Sequence, residues 1–358
     1  MSKEWLNLAL IRQHSLDMRQ FIDFRESTLP DGMRIIDAYN SSGLTFTLLP
    51  DRGMDIWSAH YNGMPLTWLS PGSPHRPDYG QSWLGLFNGG LLTTCGLDHV
   101  GPPEDGRDIH GDYTRQRAAE VSIERGEHAV RLSAVIHQSS LFGRQFTMKR
   151  TYSLLIGEPR IAIRDEIVNR SDQPAPFMLL YHCNFGYPLI RKGTELVVAS
   201  DVYPRDAAAQ AGIDTWQHYD EAAPNYPEQV FFHHPRVLVD DSGDIASASL
   251  IRDDIGLEIA WNTHHMPYLT QWKNTRQGIY VCGVEPGNCI PEGQNAARQS
   301  GRLVVLQPGE QQTFELMLTI LDTAEARTRA RDRVQQVQHD GLSITTCNLQ
   351  GYTHKDAR

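Results

Sequence analysis

Short apolar runs separated by turn residues follow one another along nearly the whole chain. Several of them alternate apolar and polar side chains, as residues 160–168 do. This alternation places one face of a strand in a core and the other face in water. The density of turn residues is typical of all-β sandwiches and barrels rather than of βαβ units. Strands are predicted at residues 33–38, 44–49, 129–137, 145–154, 160–168, 196–199, 237–239, 246–251, 257–261, 303–306 and 312–321.

Two segments have a helical pattern instead. Residues 3–19 place apolar side chains on one stripe, which predicts an amphipathic helix, and residues 323–338 combine alanines with paired charges. The Gly- and Pro-rich span 70–111 lacks periodicity, and long irregular loops of this kind usually carry function. Because no internal repeat or linker occurs, we expect one β domain over residues 1–358, with the two helices as appendages.

Composition and charge narrow the possible partners. The chain has 358 residues, of which 40% are hydrophobic and 21% charged, and it contains no apolar run of the roughly 20 residues that a membrane helix needs. The N-terminus carries charge at once and shows no secretory signal, so we expect a cytoplasmic protein that binds no membrane. The formal net charge of −10 argues against nucleic acid and favours a neutral small molecule.

The cysteines support the same compartment. There are five, without C-x-x-C pairs, which suggests neither a disulfide framework nor a zinc ribbon. Three of them, Cys95, Cys183 and Cys282, stand in apolar or Gly-rich stretches, where a thiol behaves as a small hydrophobic group, so we expect a reducing compartment.

A continuous apolar stretch at residues 177–188 predicts a buried strand. Gly186 and Pro188 are expected to end it. Because side chains alternate along a strand, His182 and Asn184 share a face with the apolar residues before them. A histidine at the end of a core strand is held rigidly and can still reach a cleft, although many such histidines are only hydrogen-bonded core residues.

Residues 279–287 repeat this design with a carboxylate. Here Glu285, followed by Pro286, stands at the end of an apolar strand. Two strands that each deliver one proton-handling group are what acid–base chemistry on a small molecule needs. We therefore expect His182 and Glu285 to be catalytic.

Other clusters contain candidate substrate-binding residues. Arg52 stands beside Gly53 at a strand end, where its planar guanidinium could hold a hydroxyl-bearing ligand; the alternative is a turn with a surface ion pair. The Gly-rich stretch that begins at residue 88 lets the backbone approach a ligand and supplies His99 and His110 as partners for sugar hydroxyls. The alternative is an ordered loop whose histidines face solvent.

Gln271 and Trp272 form the next candidate pair. A tryptophan flanked by polar residues predicts one wall of a carbohydrate site, since the C–H faces of sugars stack on aromatic rings; the alternative is a core tryptophan. Asp220 and Glu228, in an acidic and aromatic stretch, are also expected to line a pocket.

We expect no cofactor and no metal. The adjacent histidine pairs at 233–234 and 264–265 would point to opposite faces of a strand, and no zinc-type spacing occurs. The sequence also lacks the G-x-S-x-G elbow, the dinucleotide fingerprint and the P-loop, which argues against the familiar serine hydrolases, dinucleotide enzymes and NTPases.

The candidate motifs together resemble a known family. They are DRGMDI (51–56), TTCGLDHVG (93–101), IHG (109–111), YHCNFGYPL (181–189), YLTQWK (268–273) and VEPGN (284–288). On these residues the chain resembles the aldose 1-epimerase, or galactose mutarotase-like, superfamily, in its bacterial DUF4432-type branch of unknown function. The resemblance covers most of the chain. It implies a large antiparallel β-sandwich of the supersandwich type, with few short helices and a cofactor-free site on its concave face.

The resemblance also implies an activity and roles. His182 matches the general acid and Glu285 the general base of an enzyme that interconverts the α and β anomers of a free sugar, while His110 matches the histidine that holds the sugar near its ring oxygen. The acidic residue that binds a substrate hydroxyl has no clear match beyond the candidates Asp220 and Glu228. The spacing after His182 also departs from the family's, so hexose, pentose, deoxypentose and modified sugars stay open.

Two other functions fit the same residues. A non-catalytic carbohydrate-binding protein would use the tryptophan and the hydroxyl-binding groups without an acid–base pair. A metal-dependent sugar isomerase would lose its activity with a chelator. A third possibility, a polysaccharide lyase or glycosidase on a related sandwich, is disfavoured because such enzymes are usually exported and the sequence shows no secretory signal. The chain is expected to be a monomer or a homodimer.

Overall fold

The computed structural model describes residues 4–72, 80–237 and 244–338. Its strands are β1 (Asp23–Thr28), β2 (Arg34–Tyr39), β3 (Leu44–Leu49), β4 (Asp55–Tyr61), β5 (Met64–Pro65), β6 (Thr93–Leu97), β7 (Ala118–Arg125), β8 (Ala129–Ser139), β9 (Gln145–Leu155), β10 (Arg160–Asn169), β11 (Ala175–Gly186), β12 (Glu195–Val198), β13 (Ser200–Pro204), β14 (Gln229–Pro235), β15 (Ile245–Ile251), β16 (Gly256–Asn262), β17 (Tyr268–Arg276), β18 (Ile279–Gly287), β19 (Val304–Leu306) and β20 (Gln311–Leu321). The α-helices are α1 (Leu8–His14), α2 (Trp83–Leu86), α3 (Ala207–Ala211), α4 (Gln294–Gln299) and α5 (Ala324–Val337), and short 3₁₀ helices span Glu4–Leu6, Met18–Gln20, Tyr113–Arg115 and Ile213–Thr215.

The strands form three sheets with antiparallel neighbours. A five-stranded sheet runs β1-β2-β3-β4-β5, an eight-stranded sheet β12-β15-β16-β20-β10-β9-β8-β7, and a seven-stranded sheet β13-β14-β17-β18-β11-β19, with β6 also paired to β11. The predicted all-β antiparallel class is confirmed.

The eight- and seven-stranded sheets pack face to face over a common core. Strands β8, β9, β10 and β20 alternate buried and more exposed residues, as their sequences predict. Phe177 of β11 meets Phe146 of β9 and Phe314 of β20, with ring centroids 5.8 and 5.7 Å apart. These aromatic contacts join the two sheets through the middle of a sandwich.

Strand β11 is covered on both faces, which explains its unbroken apolar sequence. Its odd-numbered residues face the sandwich core, whereas Met178 and Leu180 belong to a second apolar cluster with Trp83, Val100 and Ala297. The outer face of the seven-stranded sheet is therefore covered in part by segments from residues 83–110 and 289–303. The candidate site lies on this outer face.

The N-terminal helix prediction is corrected. The segment expected as one helix over residues 3–19 is divided into the 3₁₀ turn at Glu4–Leu6, α1 and the 3₁₀ turn at Met18–Gln20, and residue 3 lies outside the described residues. The side chain of Asn7 caps the start of α1 and Ser15 follows its end in an extended conformation. At the other end of the chain, Thr323 and Gln338, the predicted limits, are the caps of α5.

Two further expectations are adjusted. The span 70–111, expected to be irregular, contains α2 and β6. The strand predicted at 237–239 is not found at residue 237, and residues 238 and 239 lie outside the described part. None of the described helices has the length and apolar character to cross a bilayer. The single-domain organisation stays a prediction.

Candidate active site

Strand pairing brings His182 and Glu285 side by side. Cys183 on β11 pairs with Val284 on β18, so the residues next to them, His182 and Glu285, stand opposite one another on adjacent strands. Thr270 on β17 pairs in turn with Glu285 from the other side. Antiparallel pairing thus places a hydroxyl, a carboxyl and an imidazole in one row across three strands.

The acid–base candidates are in contact and almost fully buried. Nε2 of His182 lies 3.3 Å from Oε1 of Glu285, and the two residues are 6% and 2% exposed. Among the described residues, Oε1 of Glu285, Nδ1 of His182 and Oγ1 of Thr270 have no hydrogen-bond partner. Buried polar atoms in proteins nearly always have a hydrogen-bond partner. We therefore expect a ligand to supply the partner of these three atoms.

Gly283 makes room for the carboxyl group. It stands between Trp272 and Asn184 on the neighbouring strands, on the same face as Glu285. A Cβ at position 283 would lie 2.3 Å from Oε1 of Glu285 and 2.9 Å from Cβ of Trp272. The Glu285 side chain therefore folds back over a position that only glycine leaves empty.

His182 and Glu285 line a cavity of about 1140 Å³. Its floor comes from β14, β17, β18 and β11, and its walls from α2 and the residue that follows it, residues 101–110 and the α4 region. The lining residues are Trp83, Leu84, Phe87, Gly101, Pro102, Ile109, His110, His182, Arg205, Glu228, Val230, Phe232, Thr270, Trp272, Glu285, Pro291, Glu292, Ala296, Gln299, Ser300 and Arg302.

Aromatic rings surround the imidazole of His182. Phe87 and Trp272 lie 5.4 and 5.6 Å from it between ring centroids, and Trp83 stacks on Phe87 at 4.5 Å. The ring of His110 stands edge-on to Trp83 and lies 6.1 Å from His182. The site therefore combines apolar ring faces with a few polar groups, as small-molecule sites do.

Burial moves the titrating groups of the site toward their uncharged forms. It lowers the pKa of His182 to about 4 and, with repulsion from His182 and His99, that of His110 to about 3. Burial raises the pKa of Glu285 well above its usual range, and the nearby Glu228 raises it further. Shifts of this size in a cavity are typical of functional sites.

Two arginines with carboxylate partners also face the cavity. Arg302 donates from Nε and Nη2 to the two carboxyl oxygens of Glu292, at 2.6 and 2.5 Å, and both side chains are nearly buried. Arg205 donates to Asp206 at 2.8 Å and to Glu228 at 3.0 Å. Each arginine thus already has carboxylate partners.

Five of the residues expected from the sequence line the cavity, and five lie elsewhere. The first group is His182, Glu285, His110, Glu228 and Trp272. In that group, Glu228 accepts a hydrogen bond from Nε1 of Trp272 at 3.1 Å. The second group, which is not among the cavity-lining residues, is Arg52, His99, Asn184, Asp220 and Gln271.

Arg52, His99 and Asn184 hold the loops that form the walls. Arg52 is buried and donates from Nη2 to the carbonyl of Leu86, at the end of α2. His99 is fully buried, with Nε2 2.8 Å from the carbonyl oxygen of Pro102. Asn184 donates to the carbonyl of Gly90. These side chains therefore support the walls rather than form them.

Gln271 and Asp220 lie away from the cavity for different reasons. Gln271 is next to Trp272 on β17, so it points to the opposite face, where it donates to Trp216 and Tyr219. The side chain of Asp220 is exposed, and its carbonyl accepts the hydroxyl of Tyr280.

The DRGMDI motif contributes to the core. Asp55 accepts hydrogen bonds from the backbone and hydroxyl of Thr94 and from Arg150, which also donates to Asp165. The hydroxyl of Tyr181, the residue before His182, donates to Asp165 at 2.6 Å. The motif is thus connected to β11, the strand that carries His182, through a buried charged network.

Sequence reasoning missed several residues of the site. Trp83, Phe87, Thr270, Arg205 and Arg302 line the cavity, and Gly283 leaves space for the carboxyl group of Glu285. Gly283 had a signal, because a glycine inside an apolar strand often marks a close approach. In the part of the chain that the structure describes, no group of three or more His, Cys, Asp or Glu side chains is arranged to hold a metal ion.

Comparison with models of protein families identifies the family of this chain. The model for the domain of unknown function DUF4432 matches residues 30–320. The chain belongs to the DUF4432 family. The branch predicted from the sequence is therefore confirmed. No curated protein matches the chain.

Solved structures share the architecture of this DUF4432 protein. A "putative aldose 1-epimerase" from Klebsiella pneumoniae subsp. pneumoniae MGH 78578 is 24% identical, with 91% of this chain and 90% of that chain covered and a TM-score of 0.84. A galactose mutarotase-like protein from Clostridium acetobutylicum is 14% identical, covering 85% and 100%, with a TM-score of 0.60. Galactose 1-epimerase from Lactobacillus acidophilus NCFM is 15% identical, covering 84% and 98%, with a TM-score of 0.58. The likeness establishes a galactose mutarotase-like fold.

Proposed function

We propose that this protein is an aldose 1-epimerase, which interconverts the α and β anomers of a free sugar at His182 and Glu285. One observation carries the proposal: two buried proton-handling groups of different type lie 3.3 Å apart in the lining of one cavity. The fold shared with the galactose 1-epimerase from Lactobacillus acidophilus NCFM adds support.

The reaction needs two proton transfers at neighbouring oxygens. Glu285 takes the proton of the anomeric hydroxyl while His182 protonates the ring oxygen, and the bond between C1 and the ring oxygen breaks to give the aldehyde. Rotation about the C1–C2 bond presents the other carbonyl face, and closure with both transfers reversed gives the opposite anomer. Since both oxygens are attached to C1, the acid and the base must lie close together, as Nε2 of His182 and Oε1 of Glu285 do.

This mechanism requires His182 and Glu285 to carry one titratable proton together. Burial favours that proton on Glu285 and a neutral His182. Moving it to Nε2 of His182 gives the carboxylate base and the imidazolium acid without any change in net charge. A positioned acid or base contributes about 10²–10⁴-fold each, which suffices for a reaction that already proceeds slowly in water.

The cavity walls supply substrate binding in this proposal. Trp272 offers a ring face for the C–H face of a sugar, and Glu228 is a carboxylate acceptor for a hydroxyl beside it. His110, held neutral by burial, donates to or accepts from an oxygen near the sugar ring. Glu228 is thus the one of the two acidic candidates that borders the cavity.

Saturation-transfer NMR on a panel of free aldoses tests the proposal. We expect the protein to accelerate the exchange between anomers, and Glu285→Gln and His182→Asn each to abolish nearly all of it. Their melting temperatures should stay near that of the parent. Glu221→Gln, at an exposed position outside the cavity lining, is the matched control and should keep the full rate.

Other results would reject the proposal. Close to full exchange in either site variant would mean that the residue is not catalytic. Binding of a sugar without faster exchange would favour a non-catalytic carbohydrate-binding protein. Loss of exchange with a chelator, restored by a divalent metal, would favour a metal-dependent isomerase.

A further inference from the structure

The cavity is larger than the acid–base pair needs. Its volume of about 1140 Å³ exceeds the roughly 300–1000 Å³ typical of pockets that enclose drug-sized ligands. Beyond the strands that carry His182 and Glu285, its wall includes Ala296 and Gln299 of α4. Leu84 also lines it and is 66% exposed, so the cavity opens to solvent.

The charges that face the cavity are balanced within the protein. Among the described residues, two arginines line it: Arg302 is held by both oxygens of Glu292, and Arg205 by Asp206 and Glu228. The side chains of Arg302 and Glu292 are 3% and 5% exposed, so an anionic ligand would have to break a buried ion pair to reach this guanidinium. Breaking such a pair leaves an uncompensated buried charge and costs about 3–5 kcal/mol.

The same carboxylates also occupy the arginines. Among the described lining residues, Glu228 pairs with Arg205 and Glu292 with Arg302, so a phosphate or carboxylate on a ligand would have to compete with them for the guanidinium groups. The remaining wall is largely apolar, with the rings of Trp83, Phe87 and Trp272 around the acid–base pair. Uncharged sugar rings, which have apolar faces and hydroxyl edges, match this combination.

We propose that the substrate is an uncharged reducing saccharide with more than one ring, bound with its reducing end at His182 and Glu285 and a second ring against the α4 side of the cavity. The inference rests on the proposed function and adds the substrate class to it. A sugar phosphate or a sugar acid is a poor substrate for the same site.

A comparison of three substrate classes tests this assignment. Anomer exchange is measured by saturation-transfer NMR for maltose, lactose and cellobiose, for glucose and galactose, and for glucose 6-phosphate and galacturonate. We expect kcat/KM for the best disaccharide to exceed that of its monosaccharides by about tenfold or more, with both anionic sugars below the monosaccharides. A monosaccharide or an anionic sugar as the best substrate would overturn the inference.

The same panel separates this inference from the proposed function. If no sugar exchanges faster with the protein, the epimerase proposal fails, and binding of the same sugars is then measured by NMR titration. Tighter binding of a neutral disaccharide than of its monosaccharides and of the anionic sugars would still support the substrate class. Any other order of affinities would reject it.

A substitution in the α4 wall tests the second ring. Gln299 is exposed and lines the cavity, whereas the adjacent Arg298 is exposed and is not among the lining residues. Gln299→Trp should lower the ratio of disaccharide to monosaccharide kcat/KM by about tenfold, and Arg298→Trp, which adds the same bulk next to it, should leave the ratio near that of the parent. An unchanged ratio in Gln299→Trp would contradict a second ring at α4.

Discussion

Gly283 leaves open the space that the carboxyl group of Glu285 occupies, since a Cβ at position 283 would lie 2.3 Å from Oε1 of Glu285. This relationship makes the direction of the carboxyl group depend on a residue that has no side chain. It also offers a way to move the proposed base without removing it.

Gly283→Ala should therefore displace the Glu285 carboxyl group and slow anomer exchange. A misplacement of about 1 Å costs about 10²-fold in a site that depends on position, so we expect a loss of that size. Exchange is measured by saturation-transfer NMR and folding by thermal unfolding. The control is Gly85→Ala, where the new Cβ would have ordinary contacts at 3.4 and 3.6 Å. A Gly283→Ala variant with the parent's rate would show that the carboxyl position is unimportant.

The pH profile of exchange should have a broad plateau. The active pair holds one proton, so exchange falls as the pH drops through about 4, where His182 gains a second proton and no base remains. It falls again only when the pH rises through the raised pKa of Glu285, where the pair loses its proton and no acid remains. With the ordinary pKa values of about 4.3 for glutamate and about 6.5 for histidine, exchange would already decline as the pH rises through about 6.5.

Rates at about pH 5.5 and about pH 7.5 distinguish these cases. We expect the rate at about pH 7.5 to stay close to that at about pH 5.5, because the raised pKa of Glu285 extends the active range beyond an ordinary histidine titration. A decline that follows an ordinary histidine titration would mean that burial does not favour the uncharged forms. Circular dichroism across the same range checks that the fold is kept.

Asp165→Asn should destabilise the fold strongly. Asp165 and Arg150 are fully buried and bonded through two oxygens, and the hydroxyl of Tyr181 adds a third contact. Breaking one side of a buried pair costs about 3–5 kcal/mol, because the guanidinium then loses the carboxylate that binds it through two oxygens and keeps only Asp55 as a carboxylate partner. Urea unfolding measures the free energy. The matched control is Arg164→Gln on the same strand, whose exposed pair with Glu315 should contribute no more than about 1 kcal/mol.

Trp272→Ala should weaken sugar binding more than it slows the chemical steps. Trp272 borders the cavity beside His182 and donates to Glu228, so its removal takes away a stacking face and one hydrogen bond to that carboxylate, which keeps Arg205. We expect KM to rise by about tenfold with kcat within a few-fold of the parent, as for a contact made equally in the ground and transition states. Trp272→Phe keeps a ring and should recover most of the affinity. A fall in kcat alone would assign Trp272 to the chemistry instead.

The sandwich and the strand positions of His182 and Glu285 could be predicted from the sequence because both depend on local patterns. Alternation along strands such as β10 and the apolar lengths of β11 and β18 indicate which segments are strands and where His182 and Glu285 stand on them. The distance between the two depends on the register of β11 and β18, to which residues about a hundred positions apart contribute. Periodicity alone does not encode that register.

Some of the predicted substrate-binding residues line the cavity and others do not, and the difference has a physical reason. Alternation allows only one of two neighbours on a strand to face a cavity, so Trp272 lines it and Gln271 does not. A basic side chain near a glycine looks the same in sequence whether it binds a ligand or a carbonyl, and Arg52 binds the carbonyl of Leu86. The burial of the Arg302–Glu292 pair also could not be predicted from the sequence, because the residues that surround the pair come from distant segments of the chain.

Anomer exchange in the His182→Asn/Glu285→Gln double variant tests most directly whether the two residues act as one catalytic pair. Groups that act together give losses that do not add. The account predicts that the double variant, assayed by saturation-transfer NMR beside both single variants, exchanges no more slowly than the slower of the two. Losses that multiply in the double variant, or single variants that keep the parent's rate, would contradict it.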